Sequence, residues 1–462
     1  MSKKNNYPES WQTETLENSV DALIDYRGKT PKKQEFGIPL ITAKIVKKGV
    51  IEPPSEFIAA KDYDKWMVRG KPETGDVVIT TEAPLGEVAQ LKSQNVALAQ
   101  RIVTLRGKKD FLNNDFLLYL LQSKHIQHQL EARSSGSTVK GIKQSELRKI
   151  ELLIPPYKEQ QKISKILKRI DDKIELNNQI NQTLEAMAQA LFKSWFVDFE
   201  PVKAKIEARA AGADAEGVTL AAMEAISGQN AEALAKLAQT DPERYAELKA
   251  TAELFPDALV ESELGEIPAG WEVKPLSHTV ELIGGGTPKK SNPEFWNGDI
   301  RWFSVKDTPN EGNVFVIDTE LKITKLGLSK SSTKLLEEGT TIISARGTVG
   351  KLALVGKPTA MNQSCYGVKG INGAGPFLNY FRLKQVVDDL KRNTHGAVFD
   401  TITRTTFDSV FTADTREEIK LKFEKTVENM MLKIKNNLSE SQHLSDLRDS
   451  LLPKLLSGEI TV

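Results

Sequence analysis

Two basic runs in opposite halves of the 462-residue chain share one four-residue sequence. Thr-Pro-Lys-Lys stands at residues 30–33 and again at residues 287–290. Lysine and arginine side chains can neutralise phosphates, and arginine, asparagine and glutamine can form paired hydrogen bonds with base edges. A single basic run is usually only a solvated surface, but recurrence in both halves favours a shared anionic ligand. We therefore expect these loops to bind nucleic acid.

Further polar residues stand at matched places or on loops that contain glycine. Gln100-Arg101 matches Gln363-Ser364, and Arg346 lies in a glycine-flanked turn after a predicted strand. Segments 133–141 and 392–404 are polar loops that could enter a groove of DNA. The complete set of candidate DNA-binding residues is Arg27, Lys29, Thr30, Lys32, Lys33, Gln100, Arg101, Ser135, Ser137, Lys140, Thr287, Lys289, Lys290, Arg346, Gln363, His395 and Arg404.

Known catalytic motifs are mostly missing from the sequence. It holds neither a G-x-x-x-x-G-K-[ST] phosphate loop nor a G-x-G-x-x-G turn after a strand. Residues 154–157 read Ile-Pro-Pro-Tyr, whereas the similar motif of adenine methyltransferases begins with Asn, Asp or Ser. Ile154 cannot accept the hydrogen bond that holds the target amine. Asp257 follows Pro256 without the Glu-x-Lys that a nuclease requires, so we predict no catalytic residues and no cofactor.

Cysteine and histidine usage narrows the class of protein further. The single cysteine, Cys365, excludes an internal disulfide framework, fits a reducing cytosol and is expected to be a small buried hydrophobe. His125 and His128 share a predicted helix face without a third spaced ligand, so no metal site is predicted. The N-terminal residues lack the apolar run of a signal peptide, and no stretch approaches the length of a membrane span. The expected protein is soluble and cytoplasmic, with no membrane partner.

The net charge of the whole chain is close to zero, at +1, but the basic and acidic residues are distributed unevenly along it. Residues 1–155 hold 24 Lys and Arg against 19 Asp and Glu, net +5, and residues 263–412 hold 18 against 16, net +2. Residues 201–262 hold 6 against 11, net −5. The basic halves favour an anionic ligand, although weakly, and the segment between them is an acidic connector.

The sequence contains an internal duplication, in which the second half repeats the first at an offset of about 260 residues. Pro8 and Trp11 match Pro268 and Trp271, and residues 75–88 match residues 339–352. The order of the matches is kept throughout. Strands are predicted at 41–46, 76–81, 101–106 and 149–155 in the first half and at 301–305, 341–345 and 351–355 in the second, followed by helices near 113–130 and 377–392. Strands followed by a helix indicate an α+β domain in each half.

Residues 157–199 contain no proline or glycine and carry an apolar heptad stripe. Asn177 interrupts this stripe at its centre, and Asn437 interrupts the corresponding stripe 260 residues later. A polar seam residue costs stability but fixes register, so the shared offset predicts partners in an antiparallel coiled coil rather than two unrelated amphipathic helices. The predicted seam consists of Ile163, Ile170, Leu184, Leu191, Phe423, Met430, Leu444 and Leu451. The matched flanking pairs are Leu167 and Val427, Ile174 and Ile434, and Met187 and Leu447, and Ile166 and Ile180 also flank the first stripe.

These patterns predict an α+β fold in which two tandem globular domains are separated by two long helices that form an antiparallel coiled coil. The Ala/Glu-rich connector is expected to form short helices near 219–226, 229–239 and 242–254. The predicted parts are a first globular domain at 1–155, a first coil helix at 156–200, the connector at 201–262, a second globular domain at 263–412 and a second coil helix at 413–462.

The central region resembles a known family. IPPYKEQQKISKILKRIDDKIELNNQINQTLEAMAQALFKSWFVDFEPVKAK, with FPDALVESELGEIPAGWEV further on, is similar to the specificity subunits of type I restriction-modification enzymes. The likeness covers the whole layout, including the duplication. One departure is that the second coil begins ADTREEIKLKFEK and lacks the EQQKI of the first. Contacts with a methylation subunit are therefore expected to differ at that end.

The resemblance implies a non-catalytic subunit. The two globular domains would be target recognition domains, each reading one half of a split, non-palindromic site in double-stranded DNA. The coil helices would act as a ruler between them and dock two methyltransferase (modification) subunits, which restriction motor (translocase) subunits then join.

The length of the coil gives an independent estimate of the distance between the two globular domains. Four heptads, from Ile163 to Leu191, rise about 42 Å at roughly 1.5 Å per residue. One turn of DNA is about 34–36 Å, so the two domains would stand a little over one turn apart. The alternative function is a coiled-coil scaffold whose globular halves bind protein. A DNA methyltransferase or nuclease is a third, disfavoured class.

Overall fold

A computed structural model describes residues 7–28, 30–47, 49–136, 138–392 and 401–462. Three of the candidate residues, Lys29, Ser137 and His395, lie outside these ranges, as does most of the 392–404 loop. The chain forms two compact units, one made of Met1–Ile174 with Gln442–Val462 and the other of Glu175–Ser441.

The first unit is built around a four-stranded antiparallel sheet in the order β2-β10-β7-β8. Among the described residues, three smaller groups accompany it: β1 pairs with β11, β3 pairs antiparallel with β6 and parallel with β9, and β4 pairs antiparallel with β5. Its elements are β1 (Gln12–Thr15), α1 (Leu16–Ser19), β2 (Val20–Asp25), β3 (Ile38–Ile41), β4 (Val46–Lys47), β5 (Val50–Ile51), β6 (Phe57–Ile58), α2 (Tyr63–Trp66), β7 (Val77–Thr81), β8 (Leu85–Gln90), β9 (Ala97–Leu98), β10 (Ile102–Gly107), α3 (Asn114–Gln122), α4 (Lys124–Ala132), α5 (Gln144–Leu147) and β11 (Glu151–Ile154).

Strand β7 shows why this sheet is covered on both faces. All five of its residues are buried, and side chains alternate between faces along a strand. Val77 and Ile79 join the core that contains α3, whereas Val78 joins the opposite core with Leu40 and Ile58. A continuous β-branched run is the sequence pattern expected of a strand buried on both sides.

Two sequence predictions in this half are wrong in detail. The single strand predicted at 41–46 is two short strands, β3 and β4, separated by a turn at residues 43–45. The single helix predicted near 113–130 is broken at Ser123, whose Oγ accepts a hydrogen bond of 3.4 Å from the Ile126 N–H and caps α4. Serine competes with the helix for backbone hydrogen bonds, so it favours a helix start over a helix interior.

The second half repeats this topology. A five-stranded sheet in the order β15-β22-β19-β20-β17 lies beside the groups β14-β23 and β18-β16-β21. The remaining elements are α6 (Tyr157–Phe196), α7 (Glu200–Ala210), α8 (Ala215–Ser227), α9 (Ala231–Thr240), α10 (Pro242–Leu254), β12 (Leu259–Ser262), β13 (Gly265–Pro268), β14 (Glu272–Pro275), β15 (Val280–Gly284), β16 (Trp296–Phe303), β17 (Phe315–Val316), β18 (Lys322–Ile323), α11 (Lys325–Ser329), β19 (Thr341–Ser344), β20 (Leu352–Val355), β21 (Thr359–Met361), β22 (Cys365–Gly370), α12 (Pro376–Arg392), α13 (Arg404–Asp408), β23 (Phe411–Asp414) and α14 (Glu417–Leu456).

The duplication extends to the register of the strands. Ile79 faces Val88 across β7 and β8, and Ile343 faces Leu352 across β19 and β20, so both partners are shifted by the same 264 residues. The outer pair β1-β11 recurs as β14-β23, and the parallel pair β3-β9 recurs as β16-β21. The α+β duplication predicted from the sequence is confirmed.

The two 40-residue helices, α6 and α14, run antiparallel in the first unit. The Asp171 carboxylate pairs with the Arg448 guanidinium at 2.8 Å. Further back along α6, the Lys162 Nζ donates to the carbonyl of Val462, which follows α14. Residue numbers therefore fall along one chain segment as they rise along the other.

The same antiparallel relationship holds within the second unit. The Asn177 Nδ2 donates to the Ser441 Oγ at 3.2 Å, and the rings of Phe192 and Phe423 meet edge to face at 5.9 Å between centroids. The predicted antiparallel coiled coil is confirmed.

The composition of the seam differs from the prediction at its flanks. Met187 and Leu447 are 48% and 47% exposed. The second row of the seam runs through the predicted flanking residues Leu167 and Ile174 and continues at every seventh residue, through buried Asn181, Ala188 and Trp195. Seam positions alternate at steps of four and three residues, and Met187 lies one residue before this row. On α14, Leu447 lies one residue before Arg448 in the equivalent row, which contains buried Val427 and Ile434. Of the predicted seam residues, Ile163 and Phe423 are fully buried, and Ile170, Leu184, Leu191, Met430, Leu444 and Leu451 are partly buried.

The connector forms four helices, α7 to α10, where three were predicted, because residues 200–210 are also helical. The prediction of a Pro-initiated helix at 242 is confirmed, and the Asp241 side chain caps it through the Arg244 N–H at 3.1 Å. The connector also shares a core with the coil, since the Trp195 ring meets Phe255 at 5.3 Å and Phe423 at 5.9 Å between centroids. Within the described ranges, no helix is both long enough and apolar enough to cross a bilayer.

Candidate nucleic-acid interface

The β7–β8 hairpin of the first half ends in a tip that hydrogen bonds to two neighbouring segments hold in place. The Thr81 N–H donates to the Arg101 carbonyl at 2.9 Å, and the Thr81 carbonyl accepts from the Ile142 N–H at 3.0 Å. Below the tip, the Thr80 hydroxyl accepts from the Glu87 N–H at 2.9 Å. These three hydrogen bonds, two to other segments and one within the hairpin, form what we call the hairpin frame. The residues of the tip extend from this frame.

A polar loop at residues 133–142 closes beside this tip. Ser135 and Gly141 exchange backbone hydrogen bonds of 2.8 and 2.9 Å. The Arg27 Nη2 donates to the Ile142 carbonyl at 2.9 Å and so ties the end of β2 to the same loop. Lys140 lies exposed on the loop.

The tip, the loop and Arg27 enclose an open polar cleft of about 250 Å³. Five of the candidate residues, Arg27, Gln100, Arg101, Ser135 and Lys140, lie on the segments that meet here. Thr30 and Lys32 are exposed on the loop after β2, and Lys33 forms an ion pair with Glu56 at 2.8 Å. The cleft is lined by Arg27, Thr81, Glu82, Ser135, Val139, Gly141, Ile142 and Lys143. Arg27 and Ser135 were among the candidates, whereas the charged residues Glu82 and Lys143 were missed.

The β19–β20 hairpin of the second half has the same frame. The Ala345 N–H donates to the Ser364 carbonyl at 2.7 Å, and the Ala345 carbonyl accepts from the Ile402 N–H at 3.0 Å. The Ser344 hydroxyl accepts from the Lys351 N–H at 2.8 Å. Each of these bonds corresponds to one in the first half.

The candidates of the second half are placed around this second frame. Thr287 and Gln363 hydrogen-bond each other through their side chains. Arg346 is exposed immediately after Ala345, and its N–H reaches the Ser364 carbonyl at 3.3 Å. The Arg404 guanidinium donates to the Leu282 carbonyl at 3.1 Å. The structure leaves Lys289 and Lys290 exposed on the segment that follows Thr287.

The two predicted register residues belong to a buried amide cluster. The Asn177 Nδ2 donates to the Glu440 carboxylate at 2.9 Å, to the Ser441 Oγ at 3.2 Å and to the Asn437 carbonyl at 3.4 Å. The Asn437 Nδ2 donates to the Asn181 Oδ1 at 2.9 Å. Buried amides require such partners, so the cluster disfavours any shift of one helix along the other. The sequence prediction missed Asn181, which the alternating four-and-three spacing would have identified.

This cluster continues into the second globular half. The Asn181 Nδ2 donates to the Asn313 Oδ1 at 3.0 Å, and the Asn313 Nδ2 donates to the Asn178 Oδ1 at 3.2 Å. One helical turn further, the Glu185 carboxylate pairs with the Lys384 Nζ at 2.8 Å. These polar contacts hold the domain against its own part of the coil.

In each half, a side chain of the coil helix accepts a hydrogen bond from the backbone at the start of a helix of the globular domain. This residue is a glutamine in the first half and a glutamate in the second. The Gln160 Oε1 accepts from the Asn113 N–H at 2.9 Å, next to α3. The Glu424 carboxylate accepts from the Leu378 N–H at 2.6 Å, in the first turn of α12. Burial raises the pKa of Glu424 to about 7, although its hydrogen bonds act in the opposite direction.

Cys365 lies buried on β22, with 1% of its surface exposed. Burial raises the pKa of its thiol to about 12, so the thiol stays protonated at neutral pH. Ile154 is likewise buried, on β11, where it faces Gln12 of β1. Both residues serve as core packing in their sheets.

Comparison with known proteins gives consistent matches over most of the chain. The family model described as type I restriction modification DNA specificity domain matches residues 8–186 and 268–410. The HindI type I restriction enzyme specificity subunit of Haemophilus influenzae is 37% identical over 376 residues, which is 79% of this chain and 82% of that protein. The MjaIX specificity subunit of Methanocaldococcus jannaschii is 26% identical over 98% of this chain and 94% of that protein.

The crystal structure of the type I restriction-modification S subunit from M. genitalium shares the fold, with a TM-score of 0.52 and 15% identity over 98% of both chains. The family model matches each globular half separately, as expected from the duplicated topology. The repeated frame, the antiparallel coil and these matches together show that the chain belongs to the family of type I restriction-modification DNA specificity subunits.

Proposed function

We propose that this chain binds DNA sequence-specifically within a type I restriction-modification complex, with each globular half reading one half of a bipartite site. The observation that carries the proposal is the repeated hairpin frame. Thr81 and Ala345 make the same backbone bonds in the two halves, yet the exposed side chains around them differ. One framework that presents two sets of polar groups is suited to reading two different half-sites.

Basic side chains near each frame support DNA as the ligand. Arg27 is 40% exposed at its side chain, and Arg101 and Lys140 are exposed on neighbouring segments. In the second half, Arg346 and Arg404 are exposed. Such groups can contact phosphates and fix the orientation of the protein, while the residues at the tips contact bases.

The coil is proposed to set the spacer between half-sites and to dock two methyltransferase subunits, with restriction subunits joining that core. The buried amide cluster at Asn177 and Asn437 supports the first role, because a ruler must keep its register. The names of the relatives support the second, since they are subunits of restriction enzymes. We assign the catalysis to the partner subunits and the complex to the cytoplasm.

The experiment is reconstitution with methyltransferase subunits, followed by mapping of methylated sites on random DNA. We expect a split sequence with an unread spacer, and affinity that falls steeply with salt concentration. Binding that is insensitive to salt and sequence would favour a protein-binding scaffold. Methyl transfer by the chain alone would contradict the non-catalytic assignment.

A further inference from the structure

The hairpin tips carry opposite charges at one equivalent position. Glu82 follows Thr81 in the first half, and Arg346 follows Ala345 in the second. The frames beneath them share the same hydrogen bonds, so the two side chains leave the backbone at corresponding places. The repeat therefore places a hydrogen-bond acceptor in the first half and a hydrogen-bond donor in the second half at equivalent structural positions.

A carboxylate at this position is unexpected on a surface that faces phosphates. Glu82 lies partly buried in the polar cleft, which Arg27 and Lys143 also line, and the Arg27 guanidinium lies 3.6 Å from the Asp25 carboxylate. Arg27 already donates to the Ile142 carbonyl, and no described residue forms a hydrogen bond or ion pair with the Glu82 carboxylate. Within the part of the chain that the structure describes, the Glu82 oxygens therefore have unused capacity to accept hydrogen bonds from a ligand.

The chemistry of the two side chains selects different bases. An ionised carboxylate only accepts hydrogen bonds, and a guanidinium only donates them. In the major groove, cytosine presents the N4 amino donor, and guanine presents the N7 and O6 acceptors. Glutamate accepting from cytosine and arginine donating to guanine are the pairings that these donors and acceptors favour.

Resting on the proposed function, we propose that Glu82 and Arg346 are equivalent base-reading residues, one for each half-site. Glu82 accepts a hydrogen bond from the N4 amino group of a cytosine, and Arg346 donates two hydrogen bonds to a guanine. Each contact contributes roughly 10- to 100-fold discrimination at its own base pair. The other half-site does not depend on it.

The test uses the full chain assembled with its methyltransferase subunits and DNA with randomised half-sites. Glu82→Gln keeps the size of the side chain but pairs best with the N6 and N7 of adenine. We expect the preferred base to change from cytosine to adenine at one position of one half-site, with the other half-site unchanged. Arg346→Gln should change guanine to adenine at one position of the other half-site.

The matched control is Glu9→Gln, which removes an exposed carboxylate from the segment before β1. It should leave both half-sites unchanged. If the wild-type complex selects a split site and Glu82→Gln selects the same one, the inference is overturned while the proposed function stands. A uniform loss of binding at every sequence, or a lowered melting temperature without a change of preferred base, also overturns it. A wild-type complex that selects no split site refutes the proposed function itself.

Discussion

The Asp414 carboxylate lies 3.2 Å from the Arg382 guanidinium, and these side chains are only 5% and 4% exposed. The Lys420 Nζ lies 2.7 Å from the same carboxylate. Burial acts to raise the pKa of Asp414, but the hydrogen bond from Lys420 and the charge of Arg382 outweigh it and lower the pKa. The repeat-equivalent positions of the first half hold three uncharged residues, Leu121, Ile154 and Gln160.

We expect Asp414→Asn to destabilise the second unit by about 3–5 kcal/mol, because it leaves two buried cations without their partner. The triple variant Arg382→Leu, Asp414→Ile and Lys420→Gln, which copies the first half, should recover most of that loss. Urea denaturation followed by tryptophan fluorescence measures both. A triple variant that is less stable than Asp414→Asn would show that the ion cluster itself contributes net stability.

Glu424 should make the stability of the second unit depend on pH. Its pKa is about 7 in the folded chain, above the ordinary value of 4.5, so the native state binds more protons between these values. Its contribution to stability is therefore complete below pH 4.5 and is lost as the pH rises through 7. Glu424→Gln should flatten the fall in melting temperature between pH 4.5 and pH 7, the window set by the two pKa values.

The exposed Glu418, on the same helix, provides the control for this measurement. Glu418→Gln should leave the dependence on pH unchanged. An unaltered dependence in Glu424→Gln would assign the effect to another group.

The amide cluster should show coupling between the helices in the second unit. Asn437→Ala or Asn181→Ala each leaves a buried partner without its hydrogen bond, which costs about 1–3 kcal/mol. The double variant should lose less than the sum, with a coupling of roughly 0.5–3 kcal/mol. Asn436→Ala, at an exposed position beside the cluster, should cost little. Additive losses would mean that the two amides contribute independently.

Deleting one heptad from both coil helices should shorten the preferred spacer by about three base pairs, since seven residues rise about 10 Å. The deletions should remove matched heptads that exclude Asn177 and Asn437, so that the amide cluster is kept. Mapping of methylated sites measures the spacer. An unchanged spacer would refute the ruler.

Exchanging residues 1–155 for the equivalent segment of another family member should change one half-site and leave the other unchanged. The expected independence follows from the separate hairpin frames of the two halves. Site mapping of the chimaera in the assembled complex tests it. A change at both half-sites would contradict the proposed division into domains.

Periodic and repeated features could be predicted from the sequence because each is carried by residue type and spacing alone. The heptad stripe with Asn177 and Asn437 predicted the antiparallel coil, and the 260-residue offset predicted two domains of one topology. The match between residues 75–88 and residues 339–352 also makes Glu82 and Arg346 equivalent in sequence. Only the structure shows that their side chains extend from the same hairpin frame.

Contacts between distant segments were decided by the tertiary structure. No local pattern indicates that Arg27 reaches the loop ending at Ile142, or that Glu424 meets the start of α12. The same holds for Asp414 and Arg382, whose opposite charges meet in the protein interior although no local sequence pattern predicts that they pair. Sequence periodicity determines which face of an element is buried, whereas the packing of separate elements determines which side chains meet, and the reading surface depends on the latter.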